Sequence, residues 1–338
     1  MINTSIGMLG VAKQTDKATA ASTPSFKHGL TGGGLVKPER SIDQKDVACG
    51  VRASISDGAF VDEVNIGVDF ETLAYDDVLA LYLYSACGAV TSAPVTGSTG
   101  YYKHTISLGS ALPWLTFWGQ IGNTADATVQ KATGCKIDAL ALEFEGNKPL
   151  NIGITAAGIA AVLFGSWSDQ LTPSCFEGYF VPTNGTFKID TASSTPSVAT
   201  VTKGSLELSN TLKPYRSAGT VIPSELAEGK LSAGLAMTVI PDDWALIRKL
   251  ITGSSAGTSV SSGIVYGSME WNFTHTKDST RTLKIVAQNV PWNCEMPEVD
   301  PEGNAAEIEF KADNIGVASS AGSPISIELV NKTASYTS

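Results

Sequence analysis

The chain has 338 residues, 43% of them apolar and 8% aromatic, enough to bury a sizeable core and to fill two ordinary domains. Only 17% are charged, which fits either an ordinary β protein or one that hides much of its surface against other copies of itself. The formal net charge of −10, spread along the chain, excludes a protein that grips DNA through a basic face.

The first 45 residues carry little periodicity. The stretch TPSFKHGLTGGGLVKPERSIDQKD is polar and holds three consecutive glycines, so residues 1–45 are expected to form an extended arm or long loop, with His28 solvated. Strand patterns begin near residue 46 with VRASIS and VNIGVDFE. YDDVLALYLY then predicts a short amphipathic helix over 75–87, with Asp76 or Asp77 near its positive end. YYKHTISL and LPWLTFWGQI, separated by GSA, predict a hairpin. KIDALALEFEG puts Leu140, Leu142 and Phe144 on one face and Glu143 and Glu145 on the other. PLNIGITAAGIAAVLFG reads as one further strand.

A connection rich in Ser, Thr, Pro and Gly follows, with a strand at GTFKID. GSLELSN and KLSAGLAMTVI predict strands, and PDDWALIRKL predicts a second helix with Pro241 in its first turn. MEWNFTH and RTLKIVAQ predict a hairpin on which Trp271, Phe273 and His275 share a face. AEIEFKA alternates Ile308 and Phe310 against Glu307, Glu309 and Lys311, and PISIELV is the last strand.

Aligning Asp76–Asp77 with Asp242–Asp243 also brings His104–Thr105 onto His275–Thr276, after a shift of five residues in the intervening loop, and the order of elements is common to both halves. The expected fold is mainly β with one short helix per half, duplicated in tandem. Its parts are an arm at 1–45, a first β domain at 46–170, a connecting segment at 171–197 and a second β domain at 198–338. Two acids at a helix start are also a common capping choice, so convergence is the alternative.

A search for chemistry finds no constellation. GSSAG at 253–257 fits a nucleophile pattern on paper, but a helix precedes it where a strand is needed, so a loop is expected. His104 and His275 lack ligand-type neighbours at metal spacing and read as structural. Glu143/Glu145 and Glu307/Glu309 are each successive outward positions of one strand, the place of solvated residues rather than of a glycosidase pair. Trp114, Phe117, Trp118, Trp271 and Trp292 lack interleaved basic residues and read as packing rather than nucleic-acid stacking. Cys49, Cys87, Cys135, Cys175 and Cys294 form no CxxC pair; Cys87 and Cys135 lie in apolar surroundings and read as small core residues. No secretory signal or membrane span is evident, so a soluble protein with reduced thiols, no cofactor and no metal is expected.

GVAKQTDKATAA at 10–21, YYKHTISLGSALPWLTFW at 101–118, GCKIDALALEFEGNKPLNIGITAAG at 134–158 and IPSELAEGKLSAGLAMTVIPDDWALIRKLITG at 222–253 carry a resemblance, as do EGNAAEIEFKADNIG and ISIELVNKT. Together they resemble the tail tube proteins of long-tailed, non-contractile bacteriophages. The likeness spans nearly the whole chain in order and rests on that order rather than on a catalytic motif.

The resemblance implies a β-sandwich with a flanking helix, whose sheets join side by side into rings. Stacked rings would form a hollow tube that carries DNA from capsid to cell. With two units per chain, a trimeric ring with pseudo-sixfold symmetry is expected, and a hexameric ring is the alternative. Implied partners are other copies of the chain, a tape-measure protein, tail-terminator and tip proteins, and genomic DNA passing without sequence-specific binding. The implied location is the virion tail, assembled in the cytoplasm of the bacterial host. Glu143, Glu145, Glu307 and Glu309 are candidate lumen residues, since an acidic bore repels DNA; outward exposure to solvent is the alternative. His28, Gly32, Gly33, Gly34 and Lys37 are candidates for an arm between stacked rings. A β-rich adhesin or carbohydrate-binding protein is the rival function, and it would need an export signal.

Overall fold

The computed structural model describes residues 7–44, 59–122, 128–165, 178–190, 197–297, 306–315 and 325–337. In chain order the elements are β1 (Gly7–Lys13), β2 (Phe26–Gly29), β3 (Gly32–Gln44), β4 (Ala59–Leu73), α1 (Asp76–Cys87), β5 (Gly88–Pro94) and β6 (Tyr102–Leu108). They continue with β7 (Leu115–Ile121), β8 (Thr128–Glu145), β9 (Asn151–Gly158), β10 (Ala160–Gly165), β11 (Phe180–Asp190), β12 (Ser197–Val198) and β13 (Thr200–Ser209). The remainder are β14 (Lys213–Tyr215), β15 (Glu225–Ala227), β16 (Ser232–Ile240), α2 (Ala245–Thr252), β17 (Gly267–His275), β18 (Thr282–Val290), β19 (Asn293–Cys294), β20 (Ile308–Ile315) and β21 (Ile325–Asn331). The fold is mainly β, as the sequence predicts.

Two antiparallel sheets face each other. The larger has an unbroken run β3-β4-β9-β8-β13-β16-β20-β19, and β8 branches at its other end to β7-β1-β2 and β10. The branching is possible because β8 is 18 residues long: Thr128–Cys135 pairs with β7 and β10, while its later residues pair with β9 and β13. The second sheet has the order β12-β11-β17-β18-β21-β6-β5.

Alternation explains the layering. Leu140, Leu142 and Phe144 of β8 point inward with Leu206 and Leu208 of β13 and Leu235 and Met237 of β16. They meet Met269, Trp271 and Phe273 of β17 and Leu283 and Ile285 of β18. Phe144 packs edge-on against Trp271 with centroids 5.2 Å apart, and the buried indole N–H of Trp271 points at Met237 Sδ, 3.1 Å away.

α1 sits between the layers. Asp77 alone among its residues is not fully buried, so the helix is enclosed on all sides rather than amphipathic as expected. Its apolar run is long enough to face both sheets at once. Asp76 and Asp77 occupy the first turn, where the helix dipole favours acids. Gly88 ends the helix at φ 95°, and its N–H returns to the Tyr84 carbonyl.

Several expectations need correction. Residues 7–44 are largely strand, not an arm: Leu9 and Val11 of β1 are fully buried, held by β2 and β7 on either side. The glycine run is a close crossing, since a Cβ on Gly33 (φ 88°) would lie 2.6 Å from Phe70 Cα on β4. β6 and β7 do not form a hairpin; β6 pairs with β5 and β21, and β7 pairs with β1 and β8. The partner overlooked was β5, whose GAVTSAP sequence has weak alternation. The proposed equivalence of His104 and His275 fails with it, because His104 lies on the second strand of its hairpin and His275 on the first. Residues 149–165 form two strands, β9 and β10, that pair with different parts of β8. Pro241 and both acids precede α2, and Asp243 accepts the Ala245 N–H. VRASIS, and residues 171–177 and 191–196 of the connection, lie outside the described residues, whereas GTFKID is part of β11.

Candidate functional site

The outward face of the large sheet has a distinct composition. Residues paired across it share that face, so the register can be read in rows. One row runs Glu71–Gly153–Ala141–Glu207–Gly234 over β4, β9, β8, β13 and β16. The next runs Asp69–Thr155–Ala139–Ser209–Ser232. A third joins Glu145, Lys203, Thr238 and Glu309, and a fourth joins Asn151, Glu143, Ser205, Ala236 and Lys311.

Large side chains are missing from the middle of this face, and acids outnumber bases. Asp69, Glu71, Glu143, Glu145, Glu207, Glu309 and Asp313 are exposed there, against Lys37, Lys203 and Lys311. Some of the charge is paired. Glu145 lies 2.5 Å from Lys148 Nζ and 3.1 Å from Lys203 Nζ, and hydrogen bonds from those ammonium groups hold its carboxyl below the usual range. Glu309 pairs with Lys311 at 2.9 Å and Asp69 with Lys37 at 2.7 Å. Such exposed pairs contribute little to stability. A shallow groove lined by Glu143, Glu145, Lys148, Lys203 and Glu309 crosses this region.

The expected residues Glu143, Glu145 and Glu309 are thus brought together on one face, and Glu307 is exposed just ahead of β20. Asp69, Glu71, Glu207 and Asp313 were missed. Their signal was available: Asp69 and Glu71 alternate with Val68, Phe70 and Thr72, all buried. Glu145 itself is poorly suited to act as a general acid, which needs a raised pKa, because its ammonium partners hold its carboxyl low.

The opposite surface, on the second sheet, is a balanced ladder. Lys188 and Lys284 flank Glu270 at 3.1 and 3.2 Å, and Lys103 meets Glu328 at 3.1 Å. The two outer faces therefore differ in charge character.

The three histidines are structural, and so are Cys87 and Cys135; Cys49 and Cys175 lie outside the described residues. His28, expected in solvent, is fully buried: Nδ1–H donates to the Gly29 carbonyl at 2.9 Å, leaving Nε2 to accept the Tyr82 hydroxyl at 2.6 Å. Burial holds its pKa down to about 4, and it cannot serve on an arm. Gly32, Gly33 and Gly34 are paired to β4, and Lys37 is engaged by Asp69. His104 is buried between Ser92 Oγ and Asn331 Oδ1, 2.8 and 2.9 Å away. Cys87 and Cys135 are buried thiols, and burial pushes Cys87 up to about 12. GSSAG follows α2 in a loop. Among the described residues no helix is long and apolar enough to cross a membrane.

A family profile described as phage tail tube protein matches residues 4–328 of the chain. A comparison with curated proteins gives no match.

Proposed function

Because the chain belongs to the phage tail tube protein family, and so is a structural, self-assembling component of the virion tail, we propose that it forms stacked rings whose bore is lined by the outward face of the large sheet. The observation that carries this reading is that face itself, acid-rich and cleared of large side chains at Gly153, Ala141, Gly234 and Ala236. DNA is a dense polyanion, and a basic channel would hold it through counterion release. A face carrying Asp69, Glu71, Glu143, Glu145, Glu207, Glu309 and Asp313 repels the phosphates, so DNA passes during ejection without sticking.

We further propose a trimeric ring of pseudo-sixfold symmetry. In support, β4 leads through α1 to the hairpin β5–β6, and β16 leads through α2 to the hairpin β17–β18. Each time the chain passes from the large sheet through a helix to the second sheet. Two such units per chain would make three chains supply six. Tape-measure, terminator and tip proteins are the expected partners along the axis and at the ends of the tube. Assembly in the host cytoplasm is part of the same reading.

Electron microscopy of the purified protein at high concentration tests this directly. Rings or tubes with sixfold appearance in axial view, from three chains per ring, are expected. Compact monomers under all conditions would remove the reading, and a basic bore would remove its mechanism.

A further inference from the structure

Ser92, His104 and Asn331 lie on β5, β6 and β21, neighbouring strands at the β5 edge of the second sheet. Ser92 is directly opposite His104, and Asn331 stands two residues along from Leu329, the partner of His104 on β21, so the three side chains share one face. His104 and Asn331 are fully buried, whereas Ser92 is exposed at the open edge. His104 Nδ1 lies 2.8 Å from Ser92 Oγ, and its Nε2 lies 2.9 Å from Asn331 Oδ1.

Neighbouring backbone groups fix which atom donates at each step. The Asp76 carbonyl can only accept, and it takes the Asn331 Nδ2–H at 2.7 Å. The Thr333 N–H can only donate, and it meets Asn331 Oδ1 at 2.9 Å. Asn331 Oδ1 is therefore an acceptor toward His104, so Nε2 carries the imidazole proton. Burial lowers the His104 pKa from its ordinary value, against the hydrogen bonds to Asn331 and Thr333. The ring is then neutral at neutral pH, Nδ1 has a bare lone pair, and the Ser92 hydroxyl must be the donor to it. Tyr336 steadies the group. Its ring packs edge-on against His104 with centroids 4.8 Å apart, and its hydroxyl accepts an Asn331 Nδ2–H at 2.6 Å while donating to the Asp77 carbonyl at 2.5 Å.

A hydroxyl, a basic nitrogen that accepts its proton and a third group that sets the tautomer are the parts of a base-assisted nucleophile. A brace between strands would be complete with His104 and Asn331; the exposed hydroxyl gives this chain of bonds a reactive end.

We propose that Ser92 is such a nucleophile, with His104 as its general base and Asn331 as a positioning residue, and that it accepts an acyl group from small activated esters. The Ser92 oxygen bonds to the carbonyl carbon of the ester while its proton passes to His104 Nδ1. The bond from that carbon to the leaving oxygen then breaks, and the proton goes from Nδ1 to the departing oxygen. Thr91–Pro94 are exposed along the edge, so water meets the carbonyl oxygen during attack, which limits the donors to those with good leaving groups. This chemistry would belong to the single subunit and does not depend on how copies assemble.

The test treats the full-length subunit with p-nitrophenyl acetate at neutral pH and locates acetylated serines by mass spectrometry. Ser92 should be acetylated on the order of 100-fold faster than Ser259, an exposed serine in the loop after α2, which is the low end of what a general base supplies. In urea the two rates should converge. His104→Gln should bring Ser92 down to the Ser259 rate. Nitrogen magnetic resonance of protein carrying isotope-labelled histidine reads the tautomer: His104 should show a protonated Nε2 and a bare Nδ1. Asn331→Leu should lose that preference together with the fast acetylation. Thermal melts establish whether the two variants are folded; the wild-type rate ratio and the wild-type tautomer decide the matter where they are not. Equal rates at Ser92 and Ser259 in the folded wild type, fast acetylation that survives His104→Gln, or a proton on Nδ1 overturns the proposal.

Discussion

Arg281 Nη1 lies 3.1 Å from Asp76 Oδ2, and both side chains are buried although 205 residues separate them in sequence. Asp76 is the first residue of α1, and Arg281 immediately precedes β18, so the pair ties the helix of the first half to the hairpin of the second. His275 Nε2 lies 3.6 Å from the same carboxylate, and the Asn331 amide donates to the Asp76 carbonyl at 2.7 Å. Burial pushes the Asp76 carboxyl above its ordinary value, with Arg281 and His275 opposing the rise.

Removing one partner of this pair leaves a buried charge uncompensated, which costs about 3–5 kcal/mol. Arg281→Met is expected to lose that much in urea denaturation of the unassembled subunit. Asp76→Asn combined with Arg281→Met should lose less than Arg281→Met alone. A double-variant loss equal to the sum of the Arg281→Met and Asp76→Asn losses would mean that the pair has no net coupling.

His28 makes the subunit acid-sensitive. Its folded pKa of about 4 lies below the unfolded value of 6.5, so the unfolded chain binds the extra proton first. The stability it allows is whole above about pH 6.5 and falls as pH drops toward 4, by roughly 3 kcal/mol at most. His28→Gln should show a flatter stability profile over that window than the wild type, measured by urea denaturation at stepped pH. Parallel profiles would assign the acid sensitivity to other groups.

Gly33 and Gly97 separate two effects of adding a methyl group. Both have positive φ, 88° and 83°, but only Gly33 faces backbone, with Phe70 Cα 2.6 Å from the added Cβ. Gly97→Ala is expected to cost about 1–2 kcal/mol from φ alone. Gly33→Ala should cost clearly more and weaken the pairing of β3 with β4, seen as faster amide exchange in both strands. A matching cost at the two sites would contradict the close crossing.

Charge on the outward face of the large sheet should decide whether a tube retains DNA. Replacing Glu143, Glu207 and Glu309 with Lys leaves the inward core residues untouched, so assembly should persist. Tubes of this variant should pull down short duplex DNA at low salt and release it as salt rises, while wild-type tubes bind none. DNA binding that is absent from both would place the face away from the bore.

Much of this architecture is legible in the sequence where a strand has one buried face. MEWNFTH and PISIELV alternate cleanly, as does KIDALALEFEG from Leu140 on, and their inward residues there are the ones that alternation predicts; a register shift between Ile137 and Ala139 buries Ile137 out of phase. α1 is legible as a helix, but its enclosure is not, because that depends on which sheets surround it. β1, β2 and β3 leave little local trace. GMLGVAK and FKHG are short and glycine-bearing, and GGGLVKPERSIDQ contains Pro38, so their strand state comes from partners distant in sequence. The acidic face is half legible: the alternation of Glu143 and Glu145 is local, whereas their meeting with Glu207 and Glu309 depends on register.

The enclosure of α1 has a mechanical consequence. A helix touched on every side acts as a fixed spacer, because sliding it in any direction opens a void on one flank and a clash on the other. α2 buries only Ile247 and Leu250 and has no such restraint. Flexure of an assembled cylinder would therefore be taken up around α2, with the α1 regions behaving as stiff ribs between compliant ones.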